Sequence, residues 1–566
     1  MNRAHRLSMA AALILIIFLA PTLTSLTSPD PERTALPTKR THAPTLEHPA
    51  ALTAPPPTGT ASVRLLGIND LHGNLEPPAD GDTGGAAYLA AHLDRYERAY
   101  PGGAIRVHAG DIVGGSPLIS GHFHDEPTIY AMNEMRFDVG TVGNHEFDEG
   151  GEEMLRLING GHREDGKQFK KGEDTSDPDF PGANFPYISA NALNKDTGET
   201  VLPSYKIVER DGVRVGFIGV TTEETPGIVM PEAIKPYRFP DISESVDRYA
   251  RELQEKGVES IVVLAHAGGD QLGPAEAVGE IISETAEMTD AVDVVIAGHT
   301  HNTLNVRVGG KLVVEAYKYG MAFSAVDLKV DRATGDVTDA TAEIVPTSNT
   351  DTRPDPEVAA LVERYREKVA PLSERVVGTA AERVGLAASD AGESALGDFI
   401  ADAERESAGT DFAFAVSGGI RGELGAGPVT YGELFAIKPF GQRLVKMEMT
   451  GDGVRRALEK QYREGRDRTL QVSGLRFVHD PEAPFGERVT SVTLPDGTPL
   501  DPDKNYTVAV EGFLAGGGSG FTEFREGRER RVVGEDLESL VDYVEQLPEP
   551  FAAPKPDEEQ RMAVGS

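Results

Sequence analysis

From Ser62 onward the chain alternates short apolar runs with stretches that carry a helical stripe. The clearest runs are Val63–Ile68, Ala104–His108, Val139–Val142, Val213–Val220, Ser260–Ala265 and Val292–Ala297. Several are nearly continuous in Val, Ile, Leu and Gly, the pattern of strands covered on both faces. Between the first two, Leu89, Leu93 and Tyr96 fall at i, i+4 and i+7, which predicts an amphipathic helix. This alternation predicts an α/β domain over residues 61–346.

A polar junction containing proline follows, and Asp355-Pro356-Glu357 then supplies a helix start, with Asp as N-cap and Pro at the first helical position. Val358, Leu361, Val362, Tyr365 and Val369 make one apolar stripe, and Pro371 falls after its expected end, so residues 354–372 read as a linker helix. A second, α+β domain is expected over residues 373–547. It includes a helix bearing Leu396, Phe399, Ile400 and Ala403, and the strands Phe412–Val416 and Arg443–Met449. The Pro-rich, charged tail from 548 to 566 reads as disordered.

At the other end, Arg3, His5 and Arg6 precede an apolar run from Met9 to Ala20. That run is too short for a comfortable membrane span and suits a secretory signal. Residues 1–28 therefore read as a signal peptide or, lacking a clean cleavage motif, an N-terminal anchor. Residues 29–60 read as a Pro/Thr-rich linker. The expected location is secreted or extracytoplasmic, with membrane attachment only if the leader stays uncleaved.

The chemistry gathers where the strands end. Val63–Ile68 runs into Asn69-Asp70-Leu71-His72-Gly73, Ala104–His108 into Gly110-Asp111, and Val139–Val142 into Gly143-Asn144-His145-Glu146-Phe147-Asp148. Ser260–Ala265 runs into His266, and Val292–Ala297 into Gly298-His299-Thr300-His301. Five of six predicted strands thus deliver His, Asp or Asn at the carboxyl edge, where open α/β sheets bind ligands. No packing requirement places ligand types only there. All are oxygen or imidazole donors, a set suited to Zn, Mn, Fe or similar divalent ions, often paired when one carboxylate can bridge. Asp70 and His72 need a turn to reach one ion, and Gly73 permits it. His122 and His124 read instead as a solvated loop.

Composition narrows the partners. With 55 Lys and Arg against 91 Asp and Glu, the formal charge of −36 argues against nucleic-acid polymers and anionic membranes. A phosphate-binding site on such a chain needs cations or local Arg to reverse the field. Cysteine is absent, which excludes thiolate metal sites and cysteine nucleophiles.

In order and spacing these strand-end motifs resemble those of calcineurin-like metallophosphoesterases. More narrowly they resemble the bacterial 5′-nucleotidase family, which includes UDP-sugar hydrolases and 2′,3′-cyclic phosphodiesterases. The resemblance spans roughly Val63 to Leu547. It implies a four-layer αββα catalytic domain, a smaller α+β nucleotide-recognition domain and two divalent metal ions. It also implies a nucleotide or other small phosphate ester as substrate, hydrolysed by a hydroxide held between the ions, most directly as a 5′-nucleotidase. The alternatives are a 2′,3′-cyclic phosphodiesterase/3′-nucleotidase, a UDP-sugar or dinucleotide pyrophosphatase, a broad phosphomonoesterase, or a surface binding module with a vestigial metal site. Position by position, Asp70, His72, Asp111 and His301 match ligands of one ion. Asp111, Asn144, His266 and His299 match those of the other. His145 matches the catalytic histidine and Asp148 the carboxylate that orients it; as residues, Asp148 also fits a helix N-terminal acid.

In the second domain, Ser417-Gly418-Gly419-Ile420-Arg421 follows a strand. Gly418 and Gly419 let backbone NH groups approach an anion, and Arg421 offers a planar fork, although a turn followed by a surface Arg has the same form. Phe440 and Phe513 match the two rings that sandwich the base, while two separate phenylalanines are also what a core would use. Three places depart from the family. Its ribose-binding Asp is replaced in Gly517-Gly518-Ser519-Gly520, a second substrate Arg is missing near Asp390, and Val416 replaces an Asn. The metal centre is therefore more firmly marked than the preference for nucleotides.

Overall fold

Runs as apolar as these must be covered on both faces, and the first domain does so by stacking two six-stranded sheets. The computed structural model describes residues 59–78, 81–163, 175–463, 468–556 and 558–565. One sheet has the order Val337–Pro346, Ala322–Asp331, Thr60–Ile68, Ala104–His108, Val139–Thr141, Tyr187–Ile188. The other runs Thr303–Val308, Lys311–Ala316, Val294–Ala297, Ser260–His266, Val213–Thr221, Tyr205–Arg210. Val63, Leu65, Val107, Phe217, Leu264 and Ile296 fill the space between them. Each such side chain contributes roughly 1.5–3 kcal/mol on burial.

The outer faces are closed by helices. Ala86–Arg98 and Glu126–Glu134 bury Leu89, Leu93, Ile129 and Met132 against the first sheet. Ile242–Glu255 and Glu280–Glu287 bury Val246, Leu253 and Ile281 against the second. The result is the four-layer αββα arrangement. The neighbouring strands that deliver the ligand motifs pair in parallel within each sheet, so their carboxyl ends share an edge.

The linker helix spans Pro356–Ser373, and Asp355 caps it by accepting from the amides of Glu357 and Val358, both at 3.0 Å. Pro371 sits inside its last turn rather than beyond it. Val358, Leu361, Tyr365 and Val369 are buried in a core shared with the first domain's helices and with Leu434 and Leu540 of the second. The second domain is built on a five-stranded sheet ordered Leu470–Ser473, Phe412–Val416, Asn505–Glu511, Arg443–Thr450, Arg528–Glu535. Helix Ala395–Ala408 contributes Leu396, Phe399, Ile400 and Ala403 to the core.

The tail corrects the expectation of disorder. Met562–Val564 adds a parallel strand beside Arg476–His479, Met562 and Phe551 are buried, and Arg561 pairs with Asp402 at 2.8 Å. A three-residue strand is stable only because a distant edge supplies its hydrogen bonds, and no local pattern announces that. The first strand starts at Thr60, inside the stretch assigned to the linker. The leader and the rest of that linker lie outside the described residues. Among the described residues no helix is long and apolar enough to cross a membrane.

Candidate metal centre

The loops after the strands are bent so sharply that several ligand-type residues hold left-handed backbone themselves. Asp70, His72, Asp111, His299 and His301 have φ of 51°, 47°, 49°, 82° and 59°. The turn between Asp70 and His72 is therefore made by these two residues as well as by Gly73 at φ 59°. Close approach explains Gly143, where a Cβ would lie 2.2 Å from Asp111 Oδ1 and 2.7 Å from the His266 ring.

The folded chain brings all nine metal and acid–base candidates to one place. Asp70, His72 and His301 converge with ligand atoms within 4.8 Å of one another, and so do Asp111, His266 and His299. His72 Nε2 lies 3.1 Å from His301 Nε2 and 3.7 Å from both Asp70 Oδ1 and Asp111 Oδ2. Asp111 Oδ2 lies 3.0 Å from His266 Nε2, which is 3.1 Å from Asn144 Oδ1. Asp111 thus stands between the two groups.

Electrostatics fits cations here. Burial lowers His72 to about 4 and His299 to about 3, so both rings offer a lone pair near neutral pH. Burial also opposes charge on His266, but Asp111 outweighs it and pushes the ring up to about 10. A divalent ion would take the place of that proton, as metal binding to imidazole requires. Other contacts aim the rings: His72 Nδ1 lies 2.7 Å from the Gly114 carbonyl, and His266 Nδ1 lies 2.8 Å from that of Ala109. The donor set and its spacing fit divalent metal cofactors.

His145 sits beside the cluster. Its amide donates to Asp111 Oδ1 at 2.9 Å, and its Nδ1 lies 2.7 Å from Asp148 Oδ2. Asp148 therefore orients His145, and the following helix, Gly151–Asn159, starts after Gly150 instead. Burial opposes charge on His145, but Asp148 and Asp111 outweigh it and raise its pKa.

A cleft of about 1620 Å³ opens over this centre, lined on its far side by Gly418, Gly419, Arg421, Phe440 and Phe513 of the second domain. Arg421 Nη2 donates to His145 Nε2 at 3.0 Å, which leaves the ring proton on Nδ1. Phe440 stacks on His145 with ring centroids 5.6 Å apart and 12° between planes, and the Arg421 guanidinium lies 5.2 Å from its centroid. Phe440 is half-buried; Phe513, also half-buried, rests on Gly518 and on the second domain's core. No Phe440–Phe513 ring contact occurs among the described residues. Ser519 lines the same cleft at φ 49°.

Three further acids, Glu146, Glu315 and Asp125, support the centre from behind. Glu146 accepts from the amides of Asp111, Ile112 and Gly143 at 3.0, 2.9 and 2.5 Å, tying two ligand loops together. Glu315 accepts from the amide of Asn302 at 3.1 Å and lies 2.9 Å from Thr300 Oγ1, bracketing His301. Asp125 accepts from the Gly114 amide at 3.1 Å. Glu315 was detectable as a lone acid in the apolar strand Lys311–Ala316, whereas Glu146 is distinguished only by partners the fold supplies. His124 belongs to no solvated loop: it is buried and contacts Arg163.

The family model described as "Calcineurin-like phosphoesterase" matches residues 63–303, and that for "5′-nucleotidase, C-terminal domain" matches residues 376–526. The chain is 39% identical over 509 residues to the endonuclease YhcR of Bacillus subtilis, covering 87% of this chain but 40% of that protein. It is 36% identical over 541 residues to a cell wall protein of Listeria monocytogenes, covering 87% of this chain and 68% of that one. Its fold matches the crystal structure of a 5′-nucleotidase precursor from Thermus thermophilus with a TM-score of 0.73 and 29% identity, over 89% of this chain and 99% of that one.

Proposed function

Because the chain belongs to the 5′-nucleotidase family of calcineurin-like metallophosphoesterases, and is a metal-dependent phosphoester hydrolase, we propose that it cleaves nucleoside 5′-monophosphates to nucleoside and phosphate. In this reading Asp70, His72, Asp111 and His301 hold one divalent ion, and Asp111, Asn144, His266 and His299 hold a second. When bound, the ions supply an activated water and neutralise charge on the phosphoryl group. His145 supplies a proton to the leaving oxygen from Nε2, for which the ring carries both protons, the form that Asp148 and Asp111 favour. Arg421 and the Gly418–Gly419 backbone take the phosphate, and Phe440 and Phe513 take the base.

One observation carries the reading: the ligand cluster, His145, Arg421 and two half-buried phenylalanines all line one cleft. A side chain on each wall must touch the substrate at once, which suits a phosphate joined to a flat ring. The resemblance to a cell wall protein supports a location outside the cytoplasm.

A second reading is favoured by Ser519. A short neutral hydroxyl at the ribose position cannot replace a carboxylate that would grip two hydroxyls, so the sugar is held loosely. Cyclic nucleotides, UDP-sugars, dinucleotides or, given the endonuclease relative, oligonucleotide ends then become substrates. A panel of AMP, 2′-deoxy-AMP, a 2′,3′-cyclic nucleotide, UDP-glucose, ribose 5-phosphate and a short single-stranded oligonucleotide decides between them. The 5′-nucleotidase reading expects the highest kcat/KM for AMP, with 2′-deoxy-AMP within about threefold. A cyclic nucleotide or oligonucleotide ahead of AMP overturns it.

A further inference from the structure

Beneath the substrate-facing loops of the second domain lies a charged cluster that none of the chemistry above uses. Lys438 is 2% exposed, and its Nζ lies 2.8 Å from Glu511 Oε2, 3.1 Å from Asp536 Oδ2 and 3.5 Å from Glu404 Oε1. The three carboxylates are equally buried. Burial opposes charge on Lys438, but Glu511, Asp536 and Glu404 outweigh it and hold the ammonium well above its ordinary value. Such a cluster is weak evidence for stability, because apolar side chains of similar volume fill the same space as well or better. Its placement gives it a use.

Lys438 closes helix Tyr431–Ile437 and lies two residues before Phe440. Glu511 ends strand Asn505–Glu511 and lies two residues before Phe513. The ion pair therefore joins the bases of the two phenylalanine segments. A second tie runs parallel to it: Gln442 Oε1 accepts from the Phe513 amide at 3.1 Å, and the Gln442 carbonyl accepts from Asp536 N at 2.8 Å. The Glu511 carboxylate also abuts the phosphate-facing loop, 3.4 Å from where a Cβ on Gly419 would sit. One buried node thus underlies all three segments that face the substrate.

We propose that Lys438 and Glu511 are positioning residues that set the separation of the Phe440 and Phe513 rings, and with it how tightly the cleft clamps a planar base. This rests on the nucleotide reading above. Binding groups must be held to within about 0.5 Å by the shell behind them, and a link between loop bases is a short lever on ring spacing.

The test uses the full chain loaded with manganese and compares AMP with p-nitrophenyl phosphate, which shares the phosphate but lacks a nucleobase and ribose. Lys438→Met combined with Glu511→Gln removes the 2.8 Å pair between the two segments, while Glu404 and Asp536 stay in place and lose their shared cation. The expected result is an AMP KM raised about tenfold, with the p-nitrophenyl phosphate KM moving less than about threefold. Equal changes for the two esters, or an AMP KM within about twofold of the parent, overturn the inference. If circular dichroism shows the double variant unfolded, Lys438→Arg carries the same readout, since it keeps the charge and alters the reach. An unaltered AMP KM in that variant likewise overturns the inference. Phe440→Ala with Phe513→Ala separates the two levels. An AMP-selective loss there without one in the Lys438 variants sinks only the positioning role. No AMP-selective loss there sinks the base-stacking reading, and the inference falls with it.

Discussion

At the scale of single side chains, five of the candidate ligands occupy backbone conformations that L-residues avoid, at a cost of about 1–3 kcal/mol each. Such strain persists where the surrounding structure over-determines it, and here Glu146 and Glu315 grip the loops from behind. The roles proposed for Asp111 and His145 differ in what each removes. Asp111→Ala should abolish bound metal and turnover together, because it would bridge both ions. His145→Ala should leave metal content at the parent value and lower kcat by roughly 10²–10⁴. That loss should shrink for p-nitrophenyl phosphate, whose leaving group needs little protonation. Metal analysis with kinetics on two esters checks both, and equal losses for good and poor leaving groups would remove His145 from the donor role. The candidate ligands were legible because His, Asp and Asn cluster at strand ends. Glu146 and Lys438 were not, because a buried carboxylate or ammonium is defined by partners from distant segments.

At the scale of elements, the parallel strands were legible for a physical reason: strands covered on both faces cannot afford polar positions, so their runs stand out. The last strand was not, since Met562–Val564 is too short to carry a pattern and depends on an edge more than eighty residues upstream. Its anchor has a pH signature. Burial pushes the Asp398 carboxyl up to about 9, helped by Glu393 and Asp402 and opposed by Arg561. A carboxyl raised above its unfolded value of about 3.9 stabilises the fold fully below that pH and loses the contribution as pH climbs toward 9. Asp398→Asn cannot ionise, so its melting temperature relative to the parent should rise steadily between pH 5 and pH 8.5. Thermal unfolding at several pH values measures this, and a constant offset would show that Asp398 is not the titrating group.

At the scale of the whole molecule, the linker helix is as much part of the first domain's surface as of the connection. Val358, Leu361 and Tyr365 complete a core with Leu89, Leu93 and Ile129, so a cut before the helix would bare an apolar face. A chain ending at Ser373 keeps the helix. It should bind metal and hydrolyse p-nitrophenyl phosphate slowly, yet show no preference for AMP over ribose 5-phosphate, because the second wall of the cleft is gone. A retained AMP preference would place base recognition in the first domain. The contact between the walls has its own consequence. Arg421 donates to His145 Nε2 and Phe440 covers the same ring, so the atom proposed to face the leaving oxygen is already occupied from within the chain. If substrate must displace this contact, only the undocked fraction accepts it, and the apparent dissociation constant is the intrinsic one divided by that fraction. If docking is favoured by about 1.4 kcal/mol, affinity is masked about tenfold. Removing Arg421 would then loosen the phosphate and unmask the histidine in one stroke, and the measured KM would report the difference between two opposed effects.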